Sequence, residues 1–175
     1  MKPYTLSLAF GLMLRSSQAI SMVHYSPSCG VDPDFGSWYY ELLRNTEDPT
    51  ATYSFTDFFT RNGSLVVLGN KATGASAISE SRAAMLPADG SIQWNHFPNK
   101  TVVARDSATE KTFHVNGVLQ TVTTADGNCS KTYFQTLFTV AKDPVTHRAN
   151  LTPQGGSLLV YDGFIIEPSE DPCPN

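Results

Sequence analysis

The sequence predicts an α+β domain in which a helical first part precedes a run of antiparallel strands. Apolar residues follow helical spacing between residues 35 and 86, and β-rich segments joined by short turn sequences follow residue 90. Helices followed by consecutive strands are typical of one curved sheet packed on the helices. We therefore expect a single domain without internal repeats.

Three helices are predicted in this first part. One runs from Phe35 to Arg44, with Asp34 placed to cap its N-terminus. A short helix or turn around residues 53–60 brings three phenylalanines to one side, and a third helix covers Ala75 to Met85. The Pro and Gly of residues 87–90 end that third helix.

Strands are predicted wherever β-branched and aromatic residues cluster between turn signals. Gly117 is a natural bend point inside one of them, and Pro98-Asn99 predicts a turn between two others. The predicted strands cover residues 64–68, 91–96, 101–106, 111–123, 131–141 and 157–166.

The N-terminus resembles a secretory leader. An apolar run from Leu6 to Leu14 precedes Ser17-Gln18-Ala19, which has small residues at the positions that signal peptidase reads. The alternative is a buried N-terminal helix, which Arg15 slightly favours. We predict a signal peptide over 1–19, a lead-in segment over 20–34, the domain over 35–167 and a tail over 168–175.

Charge and motif content exclude several classes of function. Removal of residues 1–19 leaves ten basic and sixteen acidic residues, a net charge of −6, without a basic patch that could bind nucleic acid. The four histidines lie far apart without metal-ligand spacing, so no metal and no cofactor are expected. No P-loop, GxSxG or GxGxxG sequence occurs. After signal cleavage no membrane association is expected.

Four N-glycosylation sequons strengthen the prediction of a secreted protein. Chance would place about two in a chain with this number of asparagines, and all four fall where turns are expected. The acceptor residues are Asn62, Asn99, Asn128 and Asn150.

Three cysteines suggest one disulfide and one remaining thiol in an oxidising compartment. Antiparallel pairing of the last two predicted strands would bring Cys129 close to Cys173, so this pair is preferred. Pairing of Cys29 with Cys173 is the alternative, because Cys29 leads into the first helix and could reach either end.

Several sequence stretches resemble the NTF2-like superfamily, in particular its SnoaL-like and scytalone dehydratase-like branches. The similar stretches are TDFFTRNGSLVV at 56–67, GASAI at 74–78 and WNHF at 94–97, and the likeness extends over about residues 35–166. The resemblance implies a cone in which helices and a curved sheet enclose an apolar pocket. Proteins of this superfamily include dehydratases, polyketide cyclases, isomerases and proteins without known activity.

The resemblance also implies site residues. His96 corresponds to a histidine that acts as acid/base in the dehydratase-like branch, and His114 could correspond to its second histidine. Tyr40 and Glu41 resemble a Tyr-Asp pair of that branch, and Asp57 stands where it has an aspartate. Strand alternation places His114 opposite the apolar residues of its strand.

The remaining candidates are residues with aromatic rings that could line the pocket. Trp94 shares a strand face with His96, although a packed core pair is an equal alternative. Trp38, Phe58 and Tyr133 complete the set of predicted ligand-binding residues, together with His114.

These observations lead to a functional hypothesis with two rivals. The first is cofactor-free cyclisation, isomerisation or dehydration of a small hydrophobic, polyketide-like or terpenoid-like metabolite in secondary metabolism. The second is a non-catalytic secreted protein that binds an apolar ligand or another protein. The third is a dimerisation module, because NTF2-like sheets often pair into homodimers.

Overall fold

The computed structural model describes residues 20–173, so the predicted signal peptide lies outside the described residues. Helix α1 spans Phe35–Glu47, α2 spans Tyr53–Thr56 and α3 spans Ala75–Met85. The first and third begin where the apolar spacing predicted. Asp34 does occupy the N-cap position of α1, but its side chain makes no capping hydrogen bond, so that detail of the prediction is wrong.

Seven strands form one curved sheet with the order β1-β4-β5-β6-β7-β2-β3. β1 pairs in parallel with β4, β2 pairs in parallel with β7, and the other neighbours are antiparallel. The predicted α+β class is therefore confirmed. The strands are Ser26–Pro27 (β1), Phe59–Val67 (β2), Asn70–Thr73 (β3), Ile92–Asp106 (β4), Glu110–Thr123 (β5), Cys129–Ala141 (β6) and Leu158–Ser169 (β7).

The predicted turn at Pro98-Asn99 is wrong, because β4 continues through it. The register between β4 and β5 shifts between Pro98 and Thr101, which is a bulge and not a chain reversal. Gly117 of β5 lies opposite Pro98, and a Cβ at residue 117 would lie 2.5 Å from the Phe97 carbonyl oxygen. Close approach of the two backbones at this glycine therefore keeps the strands paired across the proline.

Three smaller differences concern element ends. The predicted helix over 53–60 stops at Thr56, and β2 begins at Phe59 and runs as far as Val67. β3 was not predicted, and β7 extends to Ser169, into the predicted tail. Part of the lead-in segment is β1, at the edge of the sheet.

Helix α1 packs its aromatic side against the sheet. Phe35 is fully buried, with its ring centroid 4.1 Å from that of Phe113 in β5. Phe138 of β6 lies 5.2 Å from Tyr39 and 6.2 Å from Trp38 between ring centroids. This cluster fills the space between α1 and the middle of the sheet.

The structure pairs Cys129 with Cys173, the preferred pairing, with 6.2 Å between the Cα atoms. Cys29 is exposed and carries a free thiol. The bond joins the start of β6 to the chain beyond the end of β7. Since β6 and β7 are already hydrogen-bonded neighbours, the disulfide secures the two strand ends against separation.

Two of the four sequons do not lie in turns as expected. Asn62 is inside β2 and Asn99 is inside β4, because both segments are extended strands. Their side chains are nevertheless exposed, as is Asn128 before β6, whereas Asn150 in the loop before β7 is half-buried.

Candidate active site

A cavity of about 100 Å³ lies between the helices and the sheet, on the side away from the N-terminus of α1. Residues from all three helices and from the five long strands line it, so the complete fold is needed to form it. The lining is mainly apolar, with five residues that carry polar side chains. It comprises Thr46, Phe55, Leu65, Val67, Arg82, Met85, Trp94, His96, Leu119, Phe134, Thr136, Tyr161, Gly163 and Ile166.

A buried histidine–carboxylate pair is placed at this cavity, because His96 belongs to the lining and Glu47 is its partner. His96 Nδ1 lies 2.9 Å from Glu47 Oε1, and the side chains are only 7% and 8% exposed. The same carboxylate oxygen accepts a hydrogen bond from the His96 backbone N–H at 2.5 Å. In the neutral ring, Nδ1–H then donates to Glu47 and Nε2 keeps its lone pair. Within residues 20–173, no hydrogen bond uses Nε2.

Strand and ring contacts fix the orientation of His96. The residue lies on β4 opposite Leu119 of β5, and its ring packs edge-on against Phe134, 5.6 Å between centroids. Trp94, two residues earlier on the same strand face, also packs edge-on with the His96 ring, with 6.3 Å between centroids. The sequence therefore places the imidazole in a largely apolar surrounding with one polar partner, Glu47.

Glu47 was missed by the sequence reasoning, although one signal was present. It is the last residue of α1, where the negative end of the helix dipole disfavours a carboxylate. An acidic residue in the last turn is therefore better explained by a partner elsewhere in the fold. Here that partner is His96, 49 positions along the chain.

Tyr161 of β7 supplies a hydroxyl group to the cavity. Burial raises the pKa of Tyr161 well above its ordinary value, and the negative charge of Glu47 raises it further. The hydroxyl therefore stays protonated near neutral pH and can donate a hydrogen bond. None of the hydrogen bonds formed among the described residues uses it.

Among the described residues of the lining, Arg82 of α3 has the only permanently cationic side chain, and it is 5% exposed. Its Nη1 donates to the Ala51 carbonyl at 2.8 Å, and its Nη2 donates to the carbonyls of Asn45 (3.0 Å), Thr46 (3.1 Å) and Asp48. These carbonyls lie at and just beyond the C-terminal end of α1, where backbone acceptors lack helical partners. Arg82 therefore fixes the end of the helix that carries Glu47.

Of the predicted site residues, the structure brings only His96 and Trp94 to this cavity. Trp38 and Phe58 are almost fully buried and pack against each other in the core, 5.9 Å between centroids. They do not line this cavity, because the aromatic cluster under α1 encloses them.

His114 and Tyr133 also lie outside the cavity. His114 Nε2 is 3.1 Å from Gln135 Oε1, and its ring packs near Phe164, on the sheet face opposite to Phe113. This is the orientation that strand alternation predicted. Tyr133 is 44% exposed and its hydroxyl donates to Asp171.

The predicted catalytic residues Tyr40, Glu41 and Asp57 are likewise not assembled with His96. Glu41 lies at the surface, 3.4 Å from Arg44, and neither it nor Tyr40 lines the cavity. Asp57 is exposed in a separate, open depression beside Arg61. The first two precede the C-terminal end of α1, which is the part of that helix that reaches the cavity, and Asp57 follows the end of α2.

Two further observations bear on the kind of site. Residues 20–173 contain no helix with the length and apolar character needed to cross a membrane. Within the same range, no three His, Cys, Asp or Glu side chains come together as metal ligands would.

The arrangement combines one proton acceptor with two hydrogen-bond donors in a mostly apolar space. His96 Nε2 can take up a proton, and Glu47 stabilises the protonated ring. The Tyr161 hydroxyl and the Arg82 guanidinium can donate to oxygen atoms of a bound molecule. These are the parts needed to move a proton on a small molecule shielded from water.

No protein-family model matches the sequence, and no curated protein matches it. Among solved structures, it is similar to Aln2 from a Streptomyces species, with 14% identity and a TM-score of 0.57 over 77% of this chain and 88% of that one. A candidate scytalone dehydratase from Novosphingobium aromaticivorans matches with 16% identity and a TM-score of 0.52, over 78% and 79% of the two chains.

A third similar structure is the orange carotenoid protein of Anabaena (Nostoc) binding canthaxanthin. It has 15% identity and a TM-score of 0.50, over 86% of this chain and 39% of that one. At such low identities these likenesses establish the fold and leave activity to be argued from the site. The chain has the NTF2-like cone fold that the sequence resemblance implied.

Proposed function

We propose that this protein carries out cofactor-free acid/base chemistry on a small hydrophobic molecule. The observation that carries the proposal is the buried Glu47–His96 pair, whose histidine lines an otherwise mainly apolar cavity. His96 would transfer the proton at Nε2, and Glu47 would position the ring and stabilise its protonated form. Tyr161 would donate a hydrogen bond to the bound molecule.

The reaction class we propose is the cyclisation, isomerisation or dehydration of a polyketide-like or terpenoid-like metabolite. Its support is the fold together with the lining: one protein of this fold is a candidate scytalone dehydratase and another binds canthaxanthin. The cavity volume of about 100 Å³ favours a compact molecule with a single ring.

A simple ketone can test this chemistry before the natural substrate is known. We expect the protein to accelerate deuterium incorporation into the methyl group of 4-fluoroacetophenone in D₂O, followed by NMR. His96 Nε2 removes a methyl proton, the C–H electron pair forms the enolate, and deuterium from solvent returns to carbon. A positioned base contributes about 100-fold or more.

The control is the same protein after heat denaturation, at equal concentration. If ¹⁹F NMR shows the ketone bound and exchange is no faster than in this control, the proposal of acid/base chemistry fails. The protein would then be a non-catalytic binder of apolar molecules, which is the alternative that the sequence left open.

We also propose that the protein is secreted and glycosylated. The exposed side chains of Asn62, Asn99 and Asn128 and the disulfide between Cys129 and Cys173 support this. The intact mass of protein from its own host is expected to lack residues 1–19 and to fall when N-glycans are removed enzymatically. A mass that includes residues 1–19 and no glycan would contradict the proposal.

A further inference from the structure

Arg82 has one hydrogen-bond donor that the protein does not use. Both Nη atoms donate to backbone carbonyls around the end of α1, as described above, whereas Nε is buried and has no partner within residues 20–173. No carboxylate oxygen lies within 4.0 Å of the guanidinium in that part of the chain. Its ring neighbour is Phe55, 5.1 Å from Cζ to the centroid.

A buried, charged donor without an acceptor is costly, so most such groups in proteins find a partner. Arg82 and Phe55 both belong to the cavity lining, which is mainly apolar. An oxygen atom on a bound molecule is therefore the acceptor that this wall lacks.

We propose that Arg82 Nε–H binds an oxygen acceptor of the ligand and so selects molecules that carry a carbonyl or a similar oxygen. This inference rests on the proposed function for its assumption that the cavity binds a small molecule. Arg82 becomes a specificity-determining residue, separate from the His96–Glu47 pair. A cationic donor stabilises an acceptor oxygen that carries partial negative charge and gives no benefit to a hydrocarbon of equal shape.

The test compares two probes that differ only in this oxygen. 4-Fluoroacetophenone carries a carbonyl where 1-ethyl-4-fluorobenzene carries a methylene group, and ¹⁹F NMR measures the affinity of each. We expect the ketone to bind at least about tenfold more tightly to the wild-type protein, because hydrogen bonds to charged groups have this strength. Equal affinities would overturn the proposal and would mean that water satisfies Nε in both complexes.

The variant Arg82→Lys tests whether Nε causes the preference for the ketone. Lysine keeps the positive charge but has a methylene carbon, Cε, where arginine has Nε–H. We expect the preference for the ketone to fall to within about twofold, whereas the control Arg105→Lys, at an arginine that is 69% exposed, keeps it. A folded Arg82→Lys protein with the full preference would overturn the assignment. If circular dichroism shows that this variant does not fold, the affinities of the two probes for the wild-type protein still decide whether the cavity selects an oxygen acceptor.

Failure of this inference and failure of the proposed function give different results. A tenfold preference without methyl-proton exchange supports the oxygen site and removes the acid/base chemistry. Exchange without any preference supports the acid/base chemistry and removes the role of Arg82.

Discussion

Replacing His96 with alanine is expected to lower the rate of methyl-proton exchange in 4-fluoroacetophenone about 100-fold, close to the rate in the denatured control. The reason is that Nε2 of His96 is the only unpartnered imidazole nitrogen in the described cavity lining. Tyr161 cannot replace it as a base, because its raised pKa keeps the hydroxyl protonated at neutral pH. The measurement is the initial rate of deuterium incorporation at pD near 7.

His114→Ala is the matched control, because His114 lies outside the cavity against Gln135. It removes the same side chain, and we expect the wild-type exchange rate. An equal loss in both variants would show that the effect is not specific to the cavity. An unchanged rate in His96→Ala would remove His96 from the mechanism.

Glu47→Gln extends this prediction to the positioning residue. Glutamine still accepts a hydrogen bond from Nδ1–H but lacks the negative charge that stabilises the protonated ring. We therefore expect kcat for exchange to fall about tenfold while KM stays unchanged. A rise in KM alone would indicate that Glu47 shapes the cavity and does not act through His96.

Replacing Phe35 with alanine is expected to lower the free energy of unfolding by about 3–5 kcal/mol, the range for a buried phenylalanine. Phe35 is fully buried and contacts rings on both sides, with centroid distances of 4.1 Å to Phe113 and 5.7 Å to Tyr39. The loss combines apolar contact area with a hole under α1 that rigid strands cannot close. Urea denaturation measures it.

Tyr53→Ala is the control for this experiment, since Tyr53 is a helical aromatic residue that is 80% exposed. We expect a change below about 0.5 kcal/mol there. A loss of less than about 1 kcal/mol in Phe35→Ala would contradict the position of α1 against the sheet.

The elements that could be predicted are those whose signal is local. The apolar spacing from Phe35 to Leu43 fixes α1, and Pro87 with Gly90 ends α3 close to its true end. The strands β5, β6 and β7 were also predicted from local signals, namely β-rich segments between turn sequences. The turn at Pro98-Asn99 was predicted wrongly. A Pro-Asn pair forms a turn only if no neighbouring strand holds it extended, and here β5 holds it extended by pairing at Gly117.

The candidate site could be predicted only in part. Trp94 and His96 share one face of one strand, so alternation along β4 suffices to place them together. Glu47 and Arg82 come from separate helices and meet the site through tertiary packing, which no short sequence window contains. Trp38 and Phe58 were predicted to line the pocket but are packed in the core, because composition does not distinguish an aromatic residue in the core from one that lines a cavity.

The position of β7 in the sheet sets the order in which the molecule can be completed during synthesis. β4, β5 and β6 form a continuous set of neighbours, and β2 with β3 forms another, but β7 alone joins the two sets. Residues 158–169 leave the ribosome after all the other strands, so Tyr161, Gly163 and Ile166 close the cavity only once those strands are available. Pairing of β2 with β7 spans about a hundred residues, which makes it a slow, late step.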